Sequence, residues 1–185
     1  ISGNTATDAG TLAGGGIYSA EKLTVSDNAE IMGNKAGGEA TGKGGGVYNT
    51  STAEFHFGGG TIGGNTAAKG SGVYVKAFQP LPGGGGGKMT MSGSATVEEG
   101  NDVYLEEVGS TPSATDAHIT VTDSLGNTPA AWLTPGEYNT GLIVVWGSSG
   151  HTLTDDDIAK FPITPQTSQN WTTELSGNTL KLTTP

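Results

Sequence analysis

The chain has 185 residues, of which only 33% are hydrophobic and 6% aromatic, while 33 residues are glycine. This is too little apolar material for an ordinary two-layer domain, and the lack of Cys excludes a disulfide framework and thiolate metal sites. Eighteen acidic residues against eight Lys and no Arg give a net charge of −10, which repels nucleic acid and anionic membranes. No apolar run approaches the ~20 residues of a membrane span, so we expect no membrane insertion.

A motif of glycines, one apolar residue and one tyrosine recurs in the first hundred residues. Its copies are Gly14-Gly15-Gly16-Ile17-Tyr18, Gly44-Gly45-Gly46-Val47-Tyr48, Gly70-Ser71-Gly72-Val73-Tyr74 and a weaker Asn101-Asp102-Val103-Tyr104. The tyrosines are spaced by 30, 26 and 30 residues. A period of roughly 30 residues is typical of a solenoid, whose coils each bury a thin core against their neighbours.

Two further series of short segments keep the same period. One consists of the strand-like segments Leu23-Thr24-Val25, Phe55-His56-Phe57, Met89-Thr90-Met91 and Ile119-Thr120-Val121. The sequence therefore predicts an all-β, right-handed parallel β-helix of about four coils, with Leu23, Phe55, Met89 and Ile119 in one line inside it.

The second series places Asn4, Asn34, Asn65 and Asn101 at one corner of the coils. These residues either form a ladder of side-chain hydrogen bonds from coil to coil, or serve as residues that tolerate the left-handed turn conformation. The sequence leaves both interpretations open.

The pattern changes near residue 110, so we divide the chain into β-helix repeats (1–109) and a last coil or coils with a C-terminal β-rich cap (110–185). We expect strands at 131–133 and 142–146, and a short helical turn with Thr154 as its N-cap. A closing hairpin is expected from 171–175 and 179–183. Such a cap would cover the bare strand edges of the last coil.

The candidate binding residues are aromatic. Strand alternation predicts that Tyr18, Tyr48, Tyr74 and Tyr104 point outward in a file that could stack on sugar rings, or could instead pack against neighbouring loops. The segment 78–88, with two prolines and five consecutive glycines, is expected to be a protruding loop that offers Phe78 as a further contact.

Catalytic and metal chemistry is weakly indicated. The segment 37–43 spells G-x-x-x-x-G-K, but Gly44 follows where Ser or Thr would bind Mg²⁺, and a strand is expected where a helix is needed. No catalytic residues or cofactor are assigned. The acids Glu98, Glu99, Asp102, Glu106 and Glu107 are the basis for an alternative, a polysaccharide-degrading enzyme. A further alternative is Ca²⁺ binding through the side-chain oxygens of Asp155–Asp157 or of Asp27 and Asn28.

The Gly-Gly-Gly-Ile-Tyr and Gly-Gly-Gly-Val-Tyr copies, with their Ile-x-Gly-Asn turns, resemble bacterial surface proteins with right-handed parallel β-helix repeats. They are similar to the Gly-Gly-x-Ile repeats of polymorphic outer-membrane proteins and related adhesins, although the Phe-x-x-Asn element of that family is not found. The resemblance implies a non-enzymatic, extracellular adhesin module that binds a surface glycan or protein.

A third alternative is a self-assembling structural subunit. Because the chain begins within a repeat at Ile1, we expect a segment of a longer protein, whose first coil could associate end to end through its bare edges.

Overall fold

A computed structural model describes residues 1–7, 14–38, 41–77, 88–107, 116–166 and 169–184. The protein is an all-β solenoid of about four turns, with parallel coils stacked about 30 residues apart. This confirms the predicted stack of parallel coils. We number the strands β1 to β17 in chain order and describe them sheet by sheet.

The first sheet, which we call the tyrosine sheet, takes one short strand from each of five coils. Its strands, in spatial order, are β2 (Ile17–Ser19), β6 (Val47–Asn49), β9 (Val73–Val75), β12 (Asp102–Leu105) and β14 (Trp132–Pro135). All neighbours pair in parallel. The coils approach closely just before these strands, since a Cβ atom on Gly46 would lie 2.6 Å from the carbonyl oxygen of Gly72. Glycine is therefore required at Gly46 by space rather than by flexibility.

The second sheet, the long sheet, has seven strands. In spatial order they are β16 (Thr172–Ser176), β17 (Thr179–Thr183), β15 (Ile143–Gly147), β13 (His118–Leu125), β10 (Lys88–Gly93), β7 (Glu54–Phe57) and β3 (Lys22–Val25). Register sets Leu23 opposite Phe55, Phe55 opposite Met89, and Met89 opposite Ile119. The predicted internal line is confirmed.

The third sheet is small and lies beside the asparagine corner. It consists of β4 (Glu30–Met32), β8 (Thr61–Gly63) and β11 (Thr96–Val97), and β1 (Thr5–Ala6) pairs with β5 (Lys35–Ala36) at the first coil. Ile31, Ile62 and Val97 are opposite one another and all three are buried.

The asparagine ladder is present. Asn4 Nδ2 donates to Asn34 Oδ1 at 2.9 Å, and Asn34 Nδ2 donates to Asn65 Oδ1 at 3.0 Å. At each step the backbone N–H also donates to the next Asn Oδ1, and the step from Asn65 to Asn101, at 3.0 Å, has this bond alone, because Asn65 Nδ2 donates to the carbonyl oxygen of Ile31. Asn34, Asn65 and Asn101 are buried, so these bonds satisfy groups that water cannot reach.

The C-terminal part follows the predicted order of elements. A 3-10 helix, Asp155–Lys160, begins after Thr154, whose backbone N–H donates to the Asp157 carboxylate at 2.8 Å. Strands β16 and β17 form an antiparallel hairpin, and β17 pairs antiparallel with β15. Parallel pairing continues past residue 110 into β13, β14 and β15, and the boundary at 109 stays a prediction.

One hydrophobic core runs through the coils and into the hairpin. It begins near Val25 and Ile31 and reaches Leu180 and Leu182, with Phe161 packed in the same cluster. The core is one or two residues wide per strand, which explains how 33% hydrophobic residues suffice. In the part of the chain described, no helix has the length and apolar character to cross a membrane.

Candidate ligand-binding groove

The four tyrosines stack into one column on the face of the tyrosine sheet that points away from the core. The ring centroids of Tyr18 and Tyr48 are 5.4 Å apart, those of Tyr48 and Tyr74 5.2 Å, and those of Tyr74 and Tyr104 5.1 Å. The rings lie within 9° of parallel. In-register parallel pairing causes this arrangement, because it places equivalent residues of successive coils one strand spacing apart.

The middle of the column is covered. Tyr48 and Tyr74 are 0% and 1% exposed, and with Tyr104 they form a buried cluster separate from the main core. Tyr18, at the end of the column, is 48% exposed. Of the two interpretations left open by the sequence, packing against neighbouring segments therefore describes the middle of the column, and a ligand can approach only its ends. Phe78, the fifth predicted contact, lies outside the described residues.

One lysine and one acid contact the Tyr74 ring in the middle of the column. Lys43 Nζ lies 4.8 Å from the centroid of the Tyr74 ring and 3.8 Å from Glu106 Oε1. The Tyr74 hydroxyl donates to the same Glu106 carboxylate. Burial and this acid raise the pKa of Tyr74, and burial raises the pKa of Tyr48 to about 12. The lysine of the phosphate-loop-like segment thus packs on an aromatic ring.

The column ends at the fifth coil, and a groove begins there. Thr134 stands opposite Tyr104, where a further tyrosine would continue the stack. A groove of about 590 Å³ lies at this point and is lined by residues of four successive coils, among them Lys69, Tyr104, Thr134 and Thr164. Its volume is in the range typical of small-molecule sites, and four coils at ~4.8 Å spacing span ~14 Å.

A second aromatic residue, Trp132, lines the same groove. It stands opposite Asp102 in the register of β12 and β14. The equivalent position of the earlier coils is glycine: Gly16, Gly46 and Gly72. The fourth and fifth coils therefore carry side chains where the first three have none, and these side chains line the groove.

Polar groups surround this aromatic floor. Lys69 Nζ donates to the Tyr104 hydroxyl at 3.1 Å, and Thr134 Oγ1 donates to Thr164 Oγ1 at 2.8 Å. Asp102 Oδ1 accepts a hydrogen bond from the backbone N–H of Ser71. Glu99 is exposed at the rim. The groove combines two aromatic rings with hydroxyls, two carboxylates and one lysine.

The acids predicted for an enzyme are divided among several places. Glu99 and Asp102 line the groove, whereas Glu98 lines a separate, more polar depression of about 390 Å³ beside the third sheet. Glu106 is bonded to Tyr74 and to the backbone N–H of Ala77. Glu107 is half-buried, and this burial is the main reason that its pKa is raised to about 7. The negative charges of Asp116 and Glu137 raise the pKa further, while a hydrogen bond from the Glu137 backbone lowers it in part.

The histidines and the candidate Ca²⁺ ligands also lie in separate places and do not form a common site. His56 Nδ1 lies 3.2 Å from Thr90 Oγ1, its partner in the next coil, and His118 stacks on Trp146 with centroids 4.9 Å apart. Asp157 is bonded to Thr154 and, at 3.0 Å, to Lys160 Nζ. Within the described ranges, no three His, Asp or Glu side chains are grouped as a metal site.

Sequence reasoning missed the groove because it assigned Trp132 to the cap. The signal was present: Trp132 lies 30 residues after Asp102, the spacing of the tyrosine motif, and Leu133 stands in line with Val103. The motif copy at 101–104, which looked degraded, is the coil at which the column gives way to the groove. A departure from a repeat of this kind is where a functional site is expected.

The fold defines this chain as a parallel β-solenoid protein with an outer aromatic column. Comparison of the chain with protein-family models, curated proteins and solved structures gives no match.

Proposed function

We propose that the chain is a non-enzymatic module of an extracellular bacterial surface protein. It acts as a rigid β-solenoid stalk that binds a glycan or a protein of a host or bacterial surface. The observation that carries this proposal is the tyrosine column, which is stacked through four coils, is half exposed at Tyr18 and borders a groove at Tyr104. Aromatic rings that are held rigid by stacking suit ligand binding at the ends of the column, because little conformational entropy is lost on binding.

The surface charge supports the same function. Eighteen acidic residues keep the surface solvated and give a net charge of −10, which disfavours nucleic acid and anionic membranes as partners. The resemblance of the repeats to bacterial surface adhesins adds the extracellular location. Labelling of intact cells with an antibody against this segment tests that location, and a signal seen only after lysis contradicts it.

Binding is tested with the wild-type segment on a glycan array and against extracted surface proteins. Tyr18→Ala is the informative variant at the open end of the column, because Tyr18 is half exposed and its removal leaves the coils intact. Tyr48→Ala is unsuitable, since it would open a cavity in the buried cluster and destabilise the fold.

The matched control is Trp146→Ala, another exposed aromatic on the long sheet. We expect the control to bind as the wild type does. If neither glycans nor surface proteins bind the wild-type segment, the binding role is refuted and a plain stalk remains.

One observation favours a second candidate, a polysaccharide-degrading enzyme: Glu99 and Asp102 line the same groove. Paired carboxylates on either side of a groove are the requirement of glycoside hydrolysis. Incubation with neutral and acidic polysaccharides, followed by assays for new reducing ends and unsaturated products, separates the two functions. Product formation that Asp102→Asn abolishes would establish the enzyme.

Self-assembly is the third candidate, and the first coil is where it would occur. β2 and β3 are edge strands, and Ile1 is 59% exposed. At the other end, β17 pairs with β15 on the long sheet, while β14 and β11 are edge strands of the other two sheets. Light scattering over a wide concentration range is the test, and a monomer throughout removes this candidate.

A further inference from the structure

We infer that the groove at the end of the tyrosine column is a binding site for an uncharged, hydroxyl-rich ligand, a neutral hexose-based glycan. The inference rests on the proposed binding function and assigns it a place and a ligand chemistry. The ring of Tyr104 is stacked on Tyr74 on one side, while on the other side the column continues with Thr134, which leaves the space that the groove occupies.

The floor of the groove fits the apolar face of a sugar ring. Trp132 is half-buried there, and its indole Nε1 is buried without a hydrogen-bond partner among the described residues. Contact with a ligand therefore uses the carbon surface of the indole ring. Sugar rings have C–H faces that pack on aromatic carbon, while their hydroxyls lie at the edge and meet the polar rim.

The rim offers both kinds of hydrogen-bonding group. Tyr104 accepts a hydrogen bond from Lys69, and Thr164 accepts one from Thr134, so each keeps its own O–H to donate. Asp102 uses Oδ1 for the Ser71 N–H, and within the described part of the chain its Oδ2 has no hydrogen-bond partner. Glu99 is exposed beside it. A ligand with many hydroxyls, each able to donate and accept, matches this set.

Charge selects among glycans. Of the described lining residues, Lys69 is the only cation, and its ammonium already bonds Tyr104, whereas Glu99 and Asp102 are both acids. The whole chain adds a net charge of −10. A uronic-acid or sulfated glycan would be repelled and would find no bidentate cation. A neutral glycan can donate its hydroxyls to both carboxylates.

The test is isothermal titration calorimetry of the segment with glucan, mannan and galactan oligosaccharides, and with galacturonan oligosaccharides as the anionic probe. We expect at least one neutral series to bind and galacturonan not to bind. Ala68→Phe puts a ring into the groove from an exposed rim position and should abolish binding. Ala29→Phe, at an exposed alanine outside the groove, is the matched control and should bind as the wild type does.

Two further variants test the floor and the rim separately. Trp132→Leu should weaken binding on the order of tenfold, as expected for the loss of an aromatic stacking contact. Glu99→Gln, at an exposed position, should weaken binding to a similar degree, about tenfold, without changing the fold. Circular dichroism confirms that each variant is folded, and Ala68→Phe and Glu99→Gln keep the test valid if Trp132→Leu does not fold.

Several results would overturn the inference. Neutral binding that survives Ala68→Phe, or a preference for galacturonan, refutes the groove as a neutral-glycan site. Binding that Tyr18→Ala removes and Ala68→Phe leaves intact keeps the proposed function and moves its site to the other end of the column. Binding only of a protein also keeps that function while it refutes the glycan ligand, and no binding at all refutes both.

Discussion

Removal of the Asn65 side chain tests the stacking of the coils most sharply. Asn65 Oδ1 accepts hydrogen bonds from the backbone N–H and the side-chain amide of Asn34, at 2.9 and 3.0 Å. Its own Nδ2 donates to the carbonyl oxygen of Ile31 at 2.9 Å. Asn65 is 5% exposed and Asn34 is 1% exposed, so Asn65→Ala removes three buried hydrogen bonds, although Asn34 Nδ2 keeps its bond to the carbonyl oxygen of Ile1 at 3.2 Å.

The expected cost follows from those three bonds. A typical hydrogen bond contributes about 1 kcal/mol net, and a buried group left unpaired costs about 1–3 kcal/mol. Because the surrounding structure relaxes only in part after a truncation, we expect Asn65→Ala to lower the free energy of unfolding by about 3 kcal/mol. For a chain of this length, that corresponds to a decrease in Tm of roughly 6–12 °C.

The matched control is Asn4→Ala at the exposed end of the same ladder. Asn4 donates to Asn34 Oδ1 at 2.9 Å, but it is exposed and water can replace it, so its loss should cost less than about 1 kcal/mol. Urea unfolding followed by circular dichroism measures both variants. Equal destabilisation by Asn65→Ala and Asn4→Ala would show that the ladder does not connect buried coils.

Three further predictions concern the core, the tyrosine column and a buried acid. Phe55→Ala should destabilise the fold by about 3–5 kcal/mol, because Phe55 is fully buried between Leu23 and Met89. The control His56→Ala, on the outward face of the same strand, should change stability by about 0.5 kcal/mol or less. Urea midpoints compare the two variants, and similar costs would contradict the faces assigned to Phe55 and His56. The raised pKa of Tyr48, about 12 against the usual 10.0, means that its stabilising contribution is complete below pH 10 and is lost as the pH rises toward 12. Absorbance at 295 nm should show that part of the phenol ionisation occurs only as the protein unfolds. Complete titration of all five tyrosines in a folded chain near pH 10 would refute the buried column. The pKa of Glu107 is raised from 4.5 to about 7, so its contribution to stability is complete below pH 4.5 and is lost as the pH rises through 7. Glu107→Gln should therefore raise the urea midpoint at pH 8 but not at pH 4.5. An equal gain at pH 8 from the control Glu21→Gln, at an exposed position, would show that the lower net charge is the cause.

The architecture could be predicted from the sequence because a solenoid repeats its constraints. The spacing of Leu23, Phe55, Met89 and Ile119 was enough to place them in one line, which the register confirms. The asparagine ladder was one of two open interpretations, because the choice depends on hydrogen bonds between residues of different coils. Period alone gives the position of each amide, while its bonding partner requires three dimensions.

The candidate site was harder to predict, for two physical reasons. Strand alternation predicts which way Tyr48 and Tyr74 point, but it contains no information on Lys43 and the segment that covers them. The groove depends on what interrupts the repeat, namely Trp132 in place of glycine and Thr134 in place of tyrosine. A search for matching motifs passes over such positions, although the 30-residue spacing marks them.

The stacked tyrosine column is the feature on which the fold, the groove and the proposed ligand all depend. Nuclear Overhauser effects between tyrosine rings, measured on selectively labelled protein, test it directly. We expect cross-peaks between Tyr48 and Tyr74 and between Tyr74 and Tyr104, whose ring centroids are 5.2 and 5.1 Å apart. The absence of these cross-peaks in a folded sample would contradict the coil register and, with it, the position of the groove.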